Sequence, residues 1–220
     1  MKKRILFAAV MAVISAPAFA AADVEAHVST LGLGLGVGFQ AADTVVVRAG
    51  FNQFNKNFST SSGTLNYDGK LKLSSFDALL DWHLFGGATH LTAGIMSNGN
   101  KFNLTATPGP GGYTINGQTF TAAQVGSVTS DVTFNSAAPY LGFGWNSQPK
   151  NKGLSFKSDF GVMFQGSPKA SLTYTGNGGG DPTVNSQIRS QVAAEQANLN
   201  DKLKNYKYYP VVSFAIGYAF

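Results

Sequence analysis

Large apolar residues and glycines alternate along the segment from Leu31 to Phe39. Every odd position holds Leu, Val or Phe and every even position holds Gly, and a period of two residues indicates a β-strand. The large side chains fit an outer face against lipid, because the interior of a narrow barrel is crowded and accepts small residues. A soluble sandwich would place the large side chains inside. The segment therefore predicts a strand of a transmembrane β-barrel.

The same alternation recurs in six later segments, which are residues 45–51, 76–84, 91–95, 141–145, 154–164 and 212–220. Single-chain bacterial barrels have an even number of strands, so we expect one more strand before Leu31. Residues 24–28 alternate there in the opposite phase, which predicts a bulge or tight turn near Ser29 and Thr30. The fold class is therefore all-β, a transmembrane antiparallel barrel of eight strands.

The connections between these segments alternate in length. Short ones fall at residues 40–43, 85–89 and 146–152, and long ones near residues 55–70, 104–131 and 167–205. Outer-membrane barrels have short periplasmic turns and longer extracellular loops. The pattern places the end of the last strand, Phe220, on the periplasmic side.

The last long connection contains a predicted short helix, about Asn185 to Lys204. Its apolar residues Ile188, Val192, Leu199 and Leu203 fall near one face at helical spacing. This helix cannot span a membrane. We expect it to rest on the barrel rim or on its own loop, and the alternative is that it binds a partner.

The first twenty residues have the features of a signal peptide. A basic start precedes an apolar stretch, and small residues flank Phe19 at the predicted cleavage site after Ala20. The sequence therefore predicts two parts: a signal peptide at residues 1–20 and an outer-membrane barrel at residues 21–220. The expected location is the bacterial outer membrane.

Composition supports a surface in contact with lipid. Only 12% of the residues are charged, about half the share of an average soluble domain, and the chain has no cysteine. Three of the sixteen Lys and Arg residues lie in the signal peptide and all eleven Asp and Glu residues lie outside it, so the mature net charge is 13 − 11 = +2. The apparent basicity therefore predicts no nucleic-acid partner.

Polar residues on the face opposite the apolar one predict a polar lumen, since a Lys or Arg facing lipid costs about 2–4 kcal/mol at the membrane centre. Two interpretations remain open: a salt-bridged plug, or a constriction that selects solutes by charge, with a slight excess of acids favouring cations. The predicted lumen residues are Arg48, Asp77, Asp81, His83, Lys157, Asp159 and Gln165.

His83 and His90 flank one short turn, but no third ligand at a fixed spacing accompanies them. We find no Ser-His-acid set, metalloprotease motif or phosphate-binding glycine motif. We therefore expect no metal, no cofactor and no enzymatic activity.

Aromatic residues fall at the predicted strand ends, where membrane barrels carry girdles of aromatic side chains. We interpret them as anchors in the lipid interface, with a platform for stacking sugars as the alternative. The set is Trp82, Phe85, Trp145, Tyr206, Tyr208 and Phe220.

Several segments resemble one known family. They are residues 138–144 (APYLGFG), 160–169 (FGVMFQGSPK), 114–117 (TING) and 208–211 (YYPV). With them the chain resembles the carbapenem-associated outer-membrane proteins, also described as ornithine-uptake porins and similar to the outer-membrane protein W type. The resemblance implies an eight-stranded barrel that passes small basic amino acids and presents its terminal Phe220 to the barrel-assembly machinery.

Together these observations predict a porin-like passive channel for small, cationic, amino-acid-like solutes. The alternative is a closed structural or adhesive barrel that displays its extracellular loops to envelope or host partners. In either case the predicted surroundings are outer-membrane lipid and lipopolysaccharide.

Overall fold

A computed structural model describes residues 22–63, 65–109, 111–115, 117–147 and 152–220. The predicted signal peptide and its cleavage site lie outside these residues. The strands, in chain order, are β1 Ala22–Ser29, β2 Gly32–Ala42, β3 Val45–Ser62, β4 Leu65–His83, β5 Thr89–Asn98, β6 Lys101–Pro108, β7 Tyr113–Ile115, β8 Gln118–Phe120, β9 Val128–Thr133, β10 Ala137–Asn146, β11 Gly153–Phe164, β12 Lys169–Tyr174 and β13 Tyr208–Ala219.

Eight of these antiparallel strands close into a barrel. Their order around the wall is β1, β2, β3, β4, β5, β10, β11 and β13, and β13 pairs with β1 to complete the ring. The predicted strand number is confirmed, and so is the first strand before Leu31. At eight strands the interior is just wide enough to be filled by side chains.

The predicted turn near Ser29 and Thr30 is also present, but it changes the assignment of Leu31. We expected Leu31 on the lipid face, and it is instead 2% exposed and packs inside the barrel. The chain turns at Thr30 and Leu31, and Gly32 follows with φ +117°, a conformation that favours glycine. The lipid-facing phase therefore begins only at Leu33, which is 66% exposed.

The predicted long loops are wrong in one respect, since much of their length is strand. Residues 55–62 and 65–70 continue β3 and β4 as a long hairpin, and the other two connections contribute β6, β9 and β12. These three strands extend the hairpin sideways in the order β4, β6, β9, β12. We call the five-stranded assembly of β12, β9, β6 and the outer halves of β4 and β3 the outer sheet.

The predicted helix is present as α2, Pro182–Leu203, and a short helix α1, Ala122–Val125, precedes it. Helix α2 begins three residues before the predicted start because the Asp181 side chain accepts hydrogen bonds from the backbone N–H groups of Thr183 and Val184. No helix among the described residues has the length and hydropathy that a membrane crossing requires.

Helix α2 packs on the outer sheet, as expected for a helix that rests on its own loop. Its Ile188 and Val192 are buried, and they join a second apolar core that includes residues of β7, β8 and α1. The outer sheet, β7, β8, α1 and α2 together form what we call the outer module. Its core residues are Tyr113, Ile115, Phe120, Val125, Ile188 and Val192.

The faces of β4 exchange polarity where the strand leaves the barrel. In the barrel half the outward side chains are apolar, with Phe76 62% exposed, and the inward ones include the buried Asp81. In the outer half the outward side chains are polar, and the inward Leu73 is buried. The alternation of faces continues without a bulge. The exchange therefore marks the level at which lipid gives way to water.

Candidate functional site

A buried ion-pair network crosses the middle of the barrel. Arg48 points inward from β3 because it alternates with the outward Val47 and Ala49, and it meets acids from two other strands. Its Nη2 donates to Oδ1 of Asp81 over 2.9 Å and to Oδ1 of Asp159 over 3.0 Å. Strands β3 and β11 are four positions apart around the eight-stranded ring. The Arg48 to Asp159 contact thus joins opposite walls of the barrel.

The two acids have further partners. His90, which is completely buried, donates from Nε2 to Oδ1 of Asp159 over 2.9 Å, and Thr92 donates to Oδ1 of Asp81 over 2.8 Å. Ligand atoms of Asp81, His90 and Asp159 lie within 4.8 Å of one another. The guanidinium of Arg48, however, lies between the two carboxylates, where a metal cation would have to bind. The geometry therefore fits an ion-pair network.

A second bridge links β11 to β1. Lys157 donates to Oε2 of Glu25 over 2.8 Å, and Oε1 of Glu25 lies 3.8 Å from Nη1 of Arg48. Glu25 was not among the predicted lumen residues. The alternation of residues 23–28 contained the information, since it places Asp23, Glu25 and His27 on the face opposite Val24.

Glycines in the wall provide the space for these side chains. A Cβ added to Gly144 would lie 2.6 Å from Nε2 of His90 and 2.8 Å from Oδ1 of Asp159. On β2, a Cβ at Gly34 would overlap the ring of His27, and a Cβ at Gly38 would overlap the carboxylate of Asp23. The glycine face of β2 therefore accommodates the polar face of β1.

An apolar layer lies in the outer half of the lumen, next to the network. It is formed by inward side chains of the barrel strands together with Leu31, and Tyr140 is its largest member. A pocket of about 30 Å³ is lined by residues of both the layer and the network, and it has space for about two water molecules. The layer consists of Leu31, Leu79, Met96, Ala138, Tyr140, Met163 and Val211.

The seven predicted lumen residues do not all join one network. Arg48, Asp81, Lys157 and Asp159 meet as described above. Asp77 accepts instead from Nδ2 of Asn52, over 3.0 Å, in a branch that leads to His27.

The other two predicted residues lie towards the ends of the barrel. His83 is buried at the short-turn end, where its Nδ1 donates to the carbonyl of Gly87 over 3.0 Å. Gln165 follows the end of β11 and donates to the carbonyl of Tyr206 over 3.1 Å, so it belongs to the rim with the long connections. Their roles in passage remain predictions.

The predicted interface aromatics all point away from the barrel core and form two groups. Trp82, Phe85, Trp145 and Phe220 lie at the end with the short turns, and Tyr206 and Tyr208 lie at the opposite end. Phe85 is fully exposed and has φ +53°, a conformation that is unfavourable for a bulky residue. The fold therefore presents this ring to its surroundings at a conformational cost.

Comparisons with known proteins identify the fold. No protein-family model and no curated protein matches the chain, but solved structures do. The crystal structure of CarO2 from Acinetobacter baumannii is 20% identical with a TM-score of 0.59, and the match covers 93% of this chain and all of that one. The crystal structure of CarO from the same organism is 23% identical with a TM-score of 0.54, covering 90% of this chain and 97% of that one.

At these identities the likeness shows the fold. The chain has the fold of an outer-membrane β-barrel of the CarO kind, and the resemblance predicted from the sequence is confirmed at that level.

Proposed function

We propose that this protein is an outer-membrane barrel with a closed resting lumen, and that it holds the outer module at the cell surface. The observation that carries the proposal is the contact between Arg48 and Asp159, which joins opposite walls of the barrel. Export through the signal peptide at residues 1–20, with cleavage after Ala20, is part of the proposal, as is assembly through the C-terminal strand.

Two barriers in series support a closed lumen. The ion-pair network consists of side chains that are almost completely buried, with Arg48 7% and Asp159 6% exposed. The apolar layer around Tyr140 narrows the outer half of the same lumen, beside the inward Asn52 and Asp77. An ion that crossed the barrel would have to displace paired charges and then pass an apolar constriction, which acts as a barrier to hydrated ions.

The outer module supports a role at the cell surface. Its apolar core is separate from the barrel interior, and α2 is capped and docked on β12. By the rule of short periplasmic turns, the module lies on the extracellular side. The barrel then serves as a rigid membrane anchor for a structured surface rather than for loose loops.

Planar-bilayer recording of the refolded protein tests this proposal. We expect no steady conductance from the wild type. The positive control is a variant opened in both barriers, Arg48→Ser, Tyr140→Ser and Asp159→Ser, which should conduct. Folding of both proteins is checked by the change in gel mobility between unheated and heated samples. Steady wild-type conductance equal to that of the opened variant would overturn the proposal.

Gated passage of small cationic solutes is the second candidate, and the charge of the lumen favours it. Its inward carboxylates outnumber the permanent cations Arg48 and Lys157, and such an excess selects for cations. If the wild type conducts, the reversal potential should show a preference for cations that declines in Asp77→Asn, Asp81→Asn. The acids are Asp23, Glu25, Asp77, Asp81 and Asp159.

A further inference from the structure

The outer face of the outer sheet carries its charges in rows that run across the strands. The row nearest the barrel, which we call the foot row, contains three lysines and no acid. Strand pairing places Lys72 directly opposite Lys101, and Thr133 separates Lys101 from Lys169. The foot row, from β3 to β12, is Asn55, Lys72, Lys101, Thr133 and Lys169.

Acidic residues appear only in the rows farther from the barrel. The second row contains Lys70 and Asp131 and is neutral, and the third contains Asp68 and no basic residue. The positive charge of this face is therefore concentrated at its membrane-proximal edge.

The three lysines have no counterion among the described residues. All three are exposed, and none forms an ion pair with another described residue. Like charges placed directly opposite on neighbouring strands destabilise a sheet. The pair of Lys72 and Lys101 thus carries a repulsion that an anion outside the chain would relieve.

The foot row lies just above the part of the barrel wall whose outward side chains are apolar. Lys72 points outward from β4 on the same face as Phe76, four residues away, which is about 13 Å along a strand. A strand tilt of about 40° places it about 10 Å higher along the membrane normal. A polar headgroup layer about 5–8 Å thick borders the hydrocarbon. Since a lysine stem can extend back along apolar surface, the ammonium group of Lys72 reaches this layer, and strand pairing places Lys101 one strand away from it.

We propose that Lys72, Lys101 and Lys169 bind the phosphate groups of a phosphorylated lipid in the outer leaflet. Neighbouring strands are about 4.8 Å apart, so the three lysines span about 15 Å along the foot row, a width suited to more than one phosphate. The site depends on outer-membrane placement and on the outer sheet, and it holds whether or not the lumen conducts.

The test uses bisphosphorylated lipid A as the probe, added to the refolded full chain in zwitterionic detergent at low salt, with bound lipid counted by native mass spectrometry. Each basic residue near an anionic membrane surface contributes roughly a fivefold gain in affinity. We therefore expect Lys72→Gln, Lys101→Gln to bind lipid A roughly 25-fold more weakly. Lys152→Gln, Lys202→Gln is the matched control, since it removes two exposed lysines outside the row.

Three results would overturn the proposal. They are an equal loss of affinity in both double variants, equal binding of lipid A from which the phosphates have been removed, and displacement of lipid A by an acidic peptide or inorganic phosphate at the same concentration. We expect the loss of affinity only in Lys72→Gln, Lys101→Gln and weaker binding of lipid A without its phosphates. We expect no displacement of lipid A by the acidic peptide or by inorganic phosphate.

Thermal unfolding provides an independent readout. Without lipid A, Lys72→Gln, Lys101→Gln should unfold at the same temperature as the wild type or a higher one, because the repulsion is removed. Addition of lipid A should raise the unfolding temperature of the wild type more than that of the variant. A lower unfolding temperature of the variant without lipid would show that the lysines stabilise the chain internally, and would contradict the inference.

Discussion

The barrel half and the outer half of β4 follow opposite rules of side-chain placement. In the barrel the inward face carries Asp77 and Asp81 and the outward face carries Phe76 and Leu80. In the outer half the inward face is apolar and the outward face carries charges and amides. The backbone pairing with β3 continues through both halves without a bulge.

The difference shows that the solvent, rather than the sheet, decides which face is polar. Because lipid contacts the outward face of the barrel, the apolar side chains point outward. The polar side chains therefore point into the narrow interior. Water contacts the outward face of the outer sheet, and the apolar residues collect beneath α2. The two cores differ accordingly: the barrel core combines buried charge pairs with an apolar layer, and the core of the outer module is apolar packing alone.

The largest effect is expected from a variant that breaks the ion-pair network. Arg48→Met leaves Asp81 and Asp159 buried without their cation, and loss of one partner of a buried pair costs about 3–5 kcal/mol. The free energy of unfolding should fall by that amount in urea titrations of vesicle-embedded protein, followed by Trp82 and Trp145 fluorescence.

The control for this variant adds Asp81→Asn and Asp159→Asn. Removal of Arg48 together with the charges of both its aspartate partners should recover most of the lost stability, because neither carboxylate is left without its cation and Lys157 stays paired with Glu25. If Arg48→Met alone unfolds like the wild type, the network is not a stabilising part of the lumen.

A second prediction compares the two halves of one strand face. Ala78→Lys places a cation against lipid in the middle of the outward apolar stretch of β4 and should cost about 2–4 kcal/mol near the membrane centre. Asn66→Lys lies on the same face of β4 in the outer half and should change stability by less than about 0.5 kcal/mol. Unfolding in urea measures both variants. Equal losses of unfolding free energy would refute the change from lipid to water along the outward face of β4.

The smallest expected effect concerns the outer module alone. Asp181→Ala removes the cap of α2 and should cost about 1 kcal/mol. Amide hydrogen exchange in the first turn of α2 should accelerate about fivefold, while exchange in β11 and β13 stays unchanged. Faster exchange in the barrel strands as well would show that the two regions unfold as one unit.

The sequence was informative wherever the period of two persisted. It predicted the barrel, its eight strands and the inward placement of Arg48, Asp81 and Asp159, because alternation and the lipid cost of charge are local properties. It failed at Leu31, where the turn and Gly32 change the phase, and at residues 55–70, where polar residues on an outward face resemble a loop.

Partners across the barrel could not be predicted from the sequence. Residues 23–28 were polar and apolar in alternation, but their contact with Arg48 and Lys157 depends on ring closure between β1 and β13. His90 was interpreted with His83 as flanking a turn, and its bond to Asp159 depends on β10 lying between their strands.

The sequence by itself determined which face of each barrel strand meets lipid, since a two-residue period and the cost of charge in hydrocarbon allow one arrangement. Only the tertiary structure decided that the lumen is bridged from wall to wall, because the ring order brings β3 and β11 to opposite sides of a barrel narrow enough for one arginine to span. It also decided that three lysines distant in sequence share one edge, because strand pairing aligns residues that the chain keeps apart.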